Sequence, residues 1–162
     1  MTARASDGRV PGRRGQATRQ RLLECTLAML DTASYRDLKV VDIAREAGTS
    51  PATFYQYFTD VDAAIAELAG DMAADGATRL GGLLEGTRWS GEDAEASVRM
   101  LVTGFLDFWD ANRPLMRVID LKAAEGEGRI RSTRKDLLAG FSNGLAECVQ
   151  RKSLPDAPGN PW

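Results

Sequence analysis

VVDIAREAGTSPATFYQYF, residues 40–58, reads as two short helices joined by a tight turn, and this reading decides the fold. Val40, Ile43, Ala44 and Ala47 recur at steps of three and four, an apolar stripe of helical period that must face a core. Gly48 ends that helix, because glycine readily takes the left-handed backbone that closes a helix just past its last turn. Ser50 then offers an N-cap, and Pro51 suits the first helical position, where its missing N–H costs nothing. A second helix therefore starts about three residues after the first stops, the turn length of a helix-turn-helix. Thr53, Tyr55, Gln56 and Tyr57 can hydrogen-bond outward, while Phe54 and Phe58, four apart, can anchor the helix to a core. A short helix pinned by aromatics and presenting hydroxyls and an amide suits a DNA major groove. Spacing alone leaves a second reading open, since any small helical domain can contain a helix, a glycine turn and a helix.

The pattern Asp42-Ile43-Ala44-x-x-Ala47-Gly48-x-Ser50-x-x-Thr53-Phe54-Tyr55-x-Tyr57-Phe58 closely resembles the signature of TetR-family transcriptional regulators. The likeness extends back through Arg21-Leu22-Leu23 and Tyr35, and covers the N-terminal third of the chain. It implies an all-α protein: an N-terminal three-helix DNA-binding domain, then a helical ligand-binding and dimerisation domain. It further implies a homodimer that grips a palindromic operator in double-stranded DNA. On that resemblance Ser50, Ala52, Thr53, Tyr55, Gln56 and Tyr57 fall at DNA-contacting positions. Gln56 and Thr53 have the chemistry for base edges, and Tyr55, Tyr57 and Ser50 that for phosphates. Two positions depart from the family. Lys39 stands where a capping Ser or Thr is usual, and contacts phosphate only as a point charge; Val61 stands where a lysine usually touches the backbone.

Charge is uneven. Residues 1–58 hold nine Arg and Lys against six Asp and Glu, whereas the remainder holds twelve against seventeen. A basic head on an acidic body suits a protein that meets phosphate at one end. Residues 1–16, with Gly8, Pro11, Gly12 and Gly15, lack helical period and read as a disordered basic arm, whose Arg13 and Arg14, with Arg19 just beyond, are candidate DNA contacts. Residues 17–59 form the expected DNA-binding domain, with a first helix from Thr18, its cap, to about Ala33 and with Leu22, Leu23, Leu27 and Leu30 on one face.

Residues 60–152 form the expected ligand-binding domain. Asp60 caps a helix that ends in the stretch Gly81-Gly82 to Gly91; a second runs from about Glu92 to Ala111; Asn112-Arg113-Pro114 breaks it and starts a third. After Glu125-Gly126-Glu127-Gly128 a fourth carries Ile130, Leu137, Leu138, Phe141, Leu145 and Cys148. Met72, Met100, Phe105, Phe108, Trp109, Met116 and Phe141 at helical spacing fit ordinary core, and the family resemblance turns the group towards a cavity for a small hydrophobic ligand. The family usually continues with two further helices. Residues 153–162, closing in Ala157-Pro158-Gly159-Asn160-Pro161-Trp162, read as an irregular tail, so the chain is expected to be C-terminally shortened relative to the family.

The sequence has no histidine, and its two cysteines, Cys25 and Cys148, lie far apart on expected helices, where small core residues fit better than a disulfide. No metal-ligand spacing, nucleophile-and-base set or phosphate-binding glycine loop is present, so neither an enzyme nor a cofactor or metal is expected. No apolar run approaches the roughly 20 residues of a membrane span, and the arginine-rich start lacks the apolar stretch of a signal peptide, which points to a cytoplasmic protein. Two functions follow. One is a ligand-responsive regulator, a repressor released from its operator by an effector; the other is an interaction protein that modulates a full-length relative through its helical domain.

Overall fold

The computed structural model describes residues 12–85 and 94–126 and individual positions between 128 and 146. Among the described residues every regular element is helical. Six α-helices are bounded: α1 Arg13–Thr32, α2 Val40–Glu46, α3 Pro51–Tyr57, α4 Val61–Glu85, α5 Ala94–Ala111 and α6 Arg113–Ala124. One 3-10 turn, Tyr35–Asp37, bridges α1 and α2. Residues 1–11, 86–93 and 147–162 lie outside the described residues, and with them most of the expected arm and the whole tail.

The first helix starts earlier than its apolar pattern suggests. Gly12 occupies the N-cap position, and Arg13 and Arg14 are already helical rather than part of an irregular arm. Thr18 is an interior residue whose hydroxyl donates to the Arg14 carbonyl at 3.0 Å, so it is not the cap. Leu22, Leu23, Thr26 and Leu30 form the buried stripe. Thr26 enters the core without cost because its hydroxyl donates to the Leu22 carbonyl at 2.8 Å.

The fourth helix is capped as expected: the Asp60 carboxylate accepts from the Ala63 N–H at 2.7 Å. It runs through Gly81 and Gly82 to Glu85, within the glycine-rich stretch where its end is expected. Each glycine costs the helix about 1 kcal/mol relative to alanine, which a 25-residue element can carry. Gly104 of α5 lets that helix approach α4 closely, since a Cβ there would meet Leu83 Cδ1 at 2.5 Å. Asn112 breaks the chain between α5 and α6, its side-chain amide donating to the Phe108 carbonyl at 2.8 Å, and Pro114 stands in the first turn of α6.

A single apolar core joins these pieces. Leu22, Leu23, Ile43, Phe54 and Phe58 of the first three helices and their ends pack with Ala64, Ile65 and Ala69 of α4 and with Leu115 and Ile119 of α6. Cys25 packs at its edge as a free thiol; burial first, then the carboxylates of Glu46 and Glu24, push its pKa up, against a smaller pull from Arg21. Cys148 and Phe141 lie outside the described residues, while Ile130 is buried in the same core.

Candidate nucleic-acid interface

The turn between α2 and α3 is closed by backbone hydrogen bonds. Gly48, at φ 66°, lets the Thr49 N–H reach the Ala44 carbonyl at 2.8 Å while its own N–H reaches Arg45 at 3.0 Å, satisfying the last carbonyls of α2. Ser50 caps α3, its hydroxyl oxygen accepting from the Thr53 N–H at 3.2 Å and lying 3.0 Å from the Thr53 hydroxyl. Phe54 is fully buried, and its ring centroid stands 5.4 Å from that of Phe58 and 5.9 Å from that of Tyr55. These anchors fix which side of α3 faces outward. Ser50, Ala52, Tyr55 and Gln56 are exposed, Thr53 is half-buried, and Tyr57 leans partly against the core. Tyr57 is thus the least available of the expected contacts.

The cations divide into two groups. Arg19 is turned inward: its guanidinium pairs with Glu67 of α4 and stacks over the Phe58 ring at 5.2 Å from the centroid. Its Nε–H is buried and meets no acceptor among the described residues. Arg19, expected among the DNA contacts, thus joins α1 to α4. Arg36 pairs with Glu125 at 2.7 Å and Arg45 with Asp42 at 2.8 Å. Arg13, Arg14, Arg21 and Lys39 are exposed and form no ion pair among the described residues. Lys39 holds the N-cap position of α2 without a side-chain cap bond.

A polar knot joins the head to the helices beyond it. The Tyr35 hydroxyl donates to the Asp62 carboxylate, and Lys122 Nζ of α6 donates to the same carboxylate at 2.6 Å while lying 4.7 Å from the centroid of the Tyr35 ring. Lys122 is only 5% exposed. Burial alone raises the Asp62 pKa, but hydrogen bonds from Lys122 and Tyr35 and the charge of Lys122 outweigh it and hold the carboxyl below its ordinary value. Burial, then the hydrogen bond to Asp62, raise Tyr35, so its hydroxyl keeps its proton. The partners lie 27 and 60 residues apart along the chain, and no local pattern signals them.

The expected ligand-lining residues that are described lie at several places in the fold. A groove of about 680 Å³ opens between α4 and α5, lined by Asp75, Arg79, Leu83, Gly104, Asp107 and Phe108 among others. Among the described residues expected to line a cavity, Phe108 reaches it. Met72 and Met116 are buried in the shared core, and Phe105 and Trp109 pack on each other with centroids 6.3 Å apart. Met100 is 48% exposed on α5, beside exposed Val98, Val102 and Leu106. Its helical phase carries it outward, away from the groove described above.

A capped helix, a left-handed glycine turn and an aromatic-pinned second helix, set on a bundle of further helices, define a helix-turn-helix protein. A family model described as "Bacterial regulatory proteins, tetR family" matches residues 22–70, and one described as "Tetracyclin repressor-like, C-terminal domain" matches residues 80–155. The chain belongs to the TetR family, whose members are DNA-binding transcriptional regulators and typically dimerise. Among the described residues no helix is long and apolar enough to cross a membrane.

Proposed function

We propose that this protein is a ligand-responsive repressor that binds a palindromic operator as a homodimer in the cytoplasm and leaves it when a small, largely apolar effector binds. The observation that carries this reading is the outward row Ser50, Thr53, Tyr55 and Gln56, held by buried Phe54 and Phe58. Gln56 and Thr53 read base edges; Ser50, Tyr55, Tyr57 and Lys39 meet phosphates, Ala52 allows close approach, and Arg13 and Arg14 reach the flanking backbone. Residues 17–59 are the reading domain and 60–152 the responding one. Their joint core and the knot at Asp62 make α4 and α6 the route between them.

The groove between α4 and α5 is the entry for the effector, Leu83 and Phe108 giving an apolar floor and Asp75, Asp107 and Arg79 a charged rim. An effector that favours a shifted α4 moves the two heads away from half-sites about 34 Å apart, and DNA must weaken effector binding by the same factor. Selection from a random duplex pool tests the reading. Recovery of one palindrome, with Gln56→Ala changing preference at a single position of each half-site, supports it; recovery without sequence preference refutes it.

The exposed apolar positions Val98, Met100, Val102 and Leu106 on α5 favour a second reading, an interaction protein that modulates a relative through this helix. Light scattering separates the two: a DNA-competent dimer supports the repressor, and a monomer without sequence preference supports the modulator.

A further inference from the structure

A cleft of about 280 Å³ lies between the N-terminal half of α1 and the turn that joins α2 to α3. Arg14, Ala17, Thr18 and Arg21 form one wall, and Gly48 and Thr49 face them. Steps of three and four put the four α1 positions on one side of the helix, with the two arginines about 10 Å apart along its axis. Ala17 leaves the floor open, and a Cβ at Gly48 would meet nothing within 4 Å. Thr18 has already given its hydroxyl proton to the Arg14 carbonyl. Neither guanidinium is held by a carboxylate among the described residues: Glu24 accepts from Gln20 at 3.2 Å, and Glu46 is exposed without a bond to either arginine.

We infer that this cleft seats a backbone phosphate of the bound DNA beside the reading helix, with Arg14 and Arg21 closing on it from α1 and the Thr49 hydroxyl donating from the turn. The inference rests on the DNA-binding reading and deepens it, giving Arg14 a defined phosphate seat shared with Arg21 and Thr49. Arginine forks match phosphate oxygens, and the cleft ends at Thr49, the residue before the cap of α3. With Arg19 consumed by Glu67, and Val61 apolar, the cleft holds two of the four exposed, unpaired head cations named above. A phosphate held from both α1 and the turn fixes the register of α3 without reading any base.

The test uses the full chain and a mixed-sequence duplex, whose binding is governed by phosphate contacts. Affinity is measured against salt for wild type, Arg14→Gln, Arg21→Gln, the double variant, both Arg→Lys variants and the control Arg99→Gln on α5. Because the cleft holds one phosphate, the double variant should flatten the log–log slope by about 0.9 and weaken binding about eightfold near 0.1 M salt, and each single Gln variant should do part of this. The lysine variants should keep the slope, which a merely structural role would not predict, and Arg99→Gln should leave it unchanged. An unaltered slope in the double variant, with salt-dependent wild-type binding intact, overturns the cleft and leaves the DNA reading standing. Absence of salt-dependent binding by the wild type overturns both.

Discussion

Substitutions at the knot of Tyr35, Asp62 and Lys122 should be unequal, and the inequality follows from exposure. The Lys122 side chain is 6% exposed, whereas that of Asp62 is 45% exposed. Asp62→Asn removes the negative charge 2.6 Å from a nearly dry ammonium. Breaking a fully buried pair from one side costs about 3–5 kcal/mol; because Asp62 is half wet, about 2–3 kcal/mol is expected. Lys122→Met removes the dry charge, fills its volume with an apolar chain and leaves a carboxylate that water and Tyr35 still serve, so the cost should be at most about 1 kcal/mol. The double variant should resemble Lys122→Met alone. For a chain of this length Asp62→Asn should lower Tm by about 5–10 °C, and urea unfolding at neutral pH gives the free energies directly. If Lys122→Met proves as costly as Asp62→Asn, the argument that the buried ammonium carries the penalty is refuted.

Acid should dissolve the same difference. A carboxyl whose folded pKa is depressed contributes stability above its unfolded value, near 3.9, and loses it as pH falls through the folded value, so wild type and Asp62→Asn should converge in urea melts below about pH 4. Gly48→Ala meets no atom but places a Cβ at φ 66°, and should cost about 1–2 kcal/mol in chemical unfolding. Ser50→Ala removes the cap of α3 and should cost about 1 kcal/mol; an unchanged midpoint would show that the 3.2 Å contact contributes nothing.

The local elements were legible because their signals are local. The glycine turn, the Ser50 and Asp60 caps, the Phe54 and Phe58 anchors and the break at Asn112-Arg113-Pro114 each lie within a few residues of what they control. The start of α1 was not, since its first two turns project beyond the apolar stripe, and an exposed helical turn rich in arginine carries no periodic mark. The stretch from Gly81 placed the end of α4 only to within a few residues, because glycine weakens a helix without fixing where it stops. The fate of Arg19 depended on Glu67, 48 residues on, and Met100 on the rotation of α5 against its neighbours. Charge pairing across the fold and the phase of a helix with apolar residues all round are settled by packing, and single-residue chemistry does not reveal them.

The core shared by the head, the first turns of α4 and α6 has a consequence for building hybrids. Grafting this reader onto another regulator at residue 59 would leave behind Ala64, Ile65 and Ala69, which belong to the core of the head, together with the Glu67 that neutralises Arg19. A viable crossover lies near residue 70, where the N-terminal family match also ends. Even there the transplanted head would need a recipient offering apolar side chains in place of Leu115 and Ile119. The head of this protein is thus exchangeable only together with the surface on which it rests.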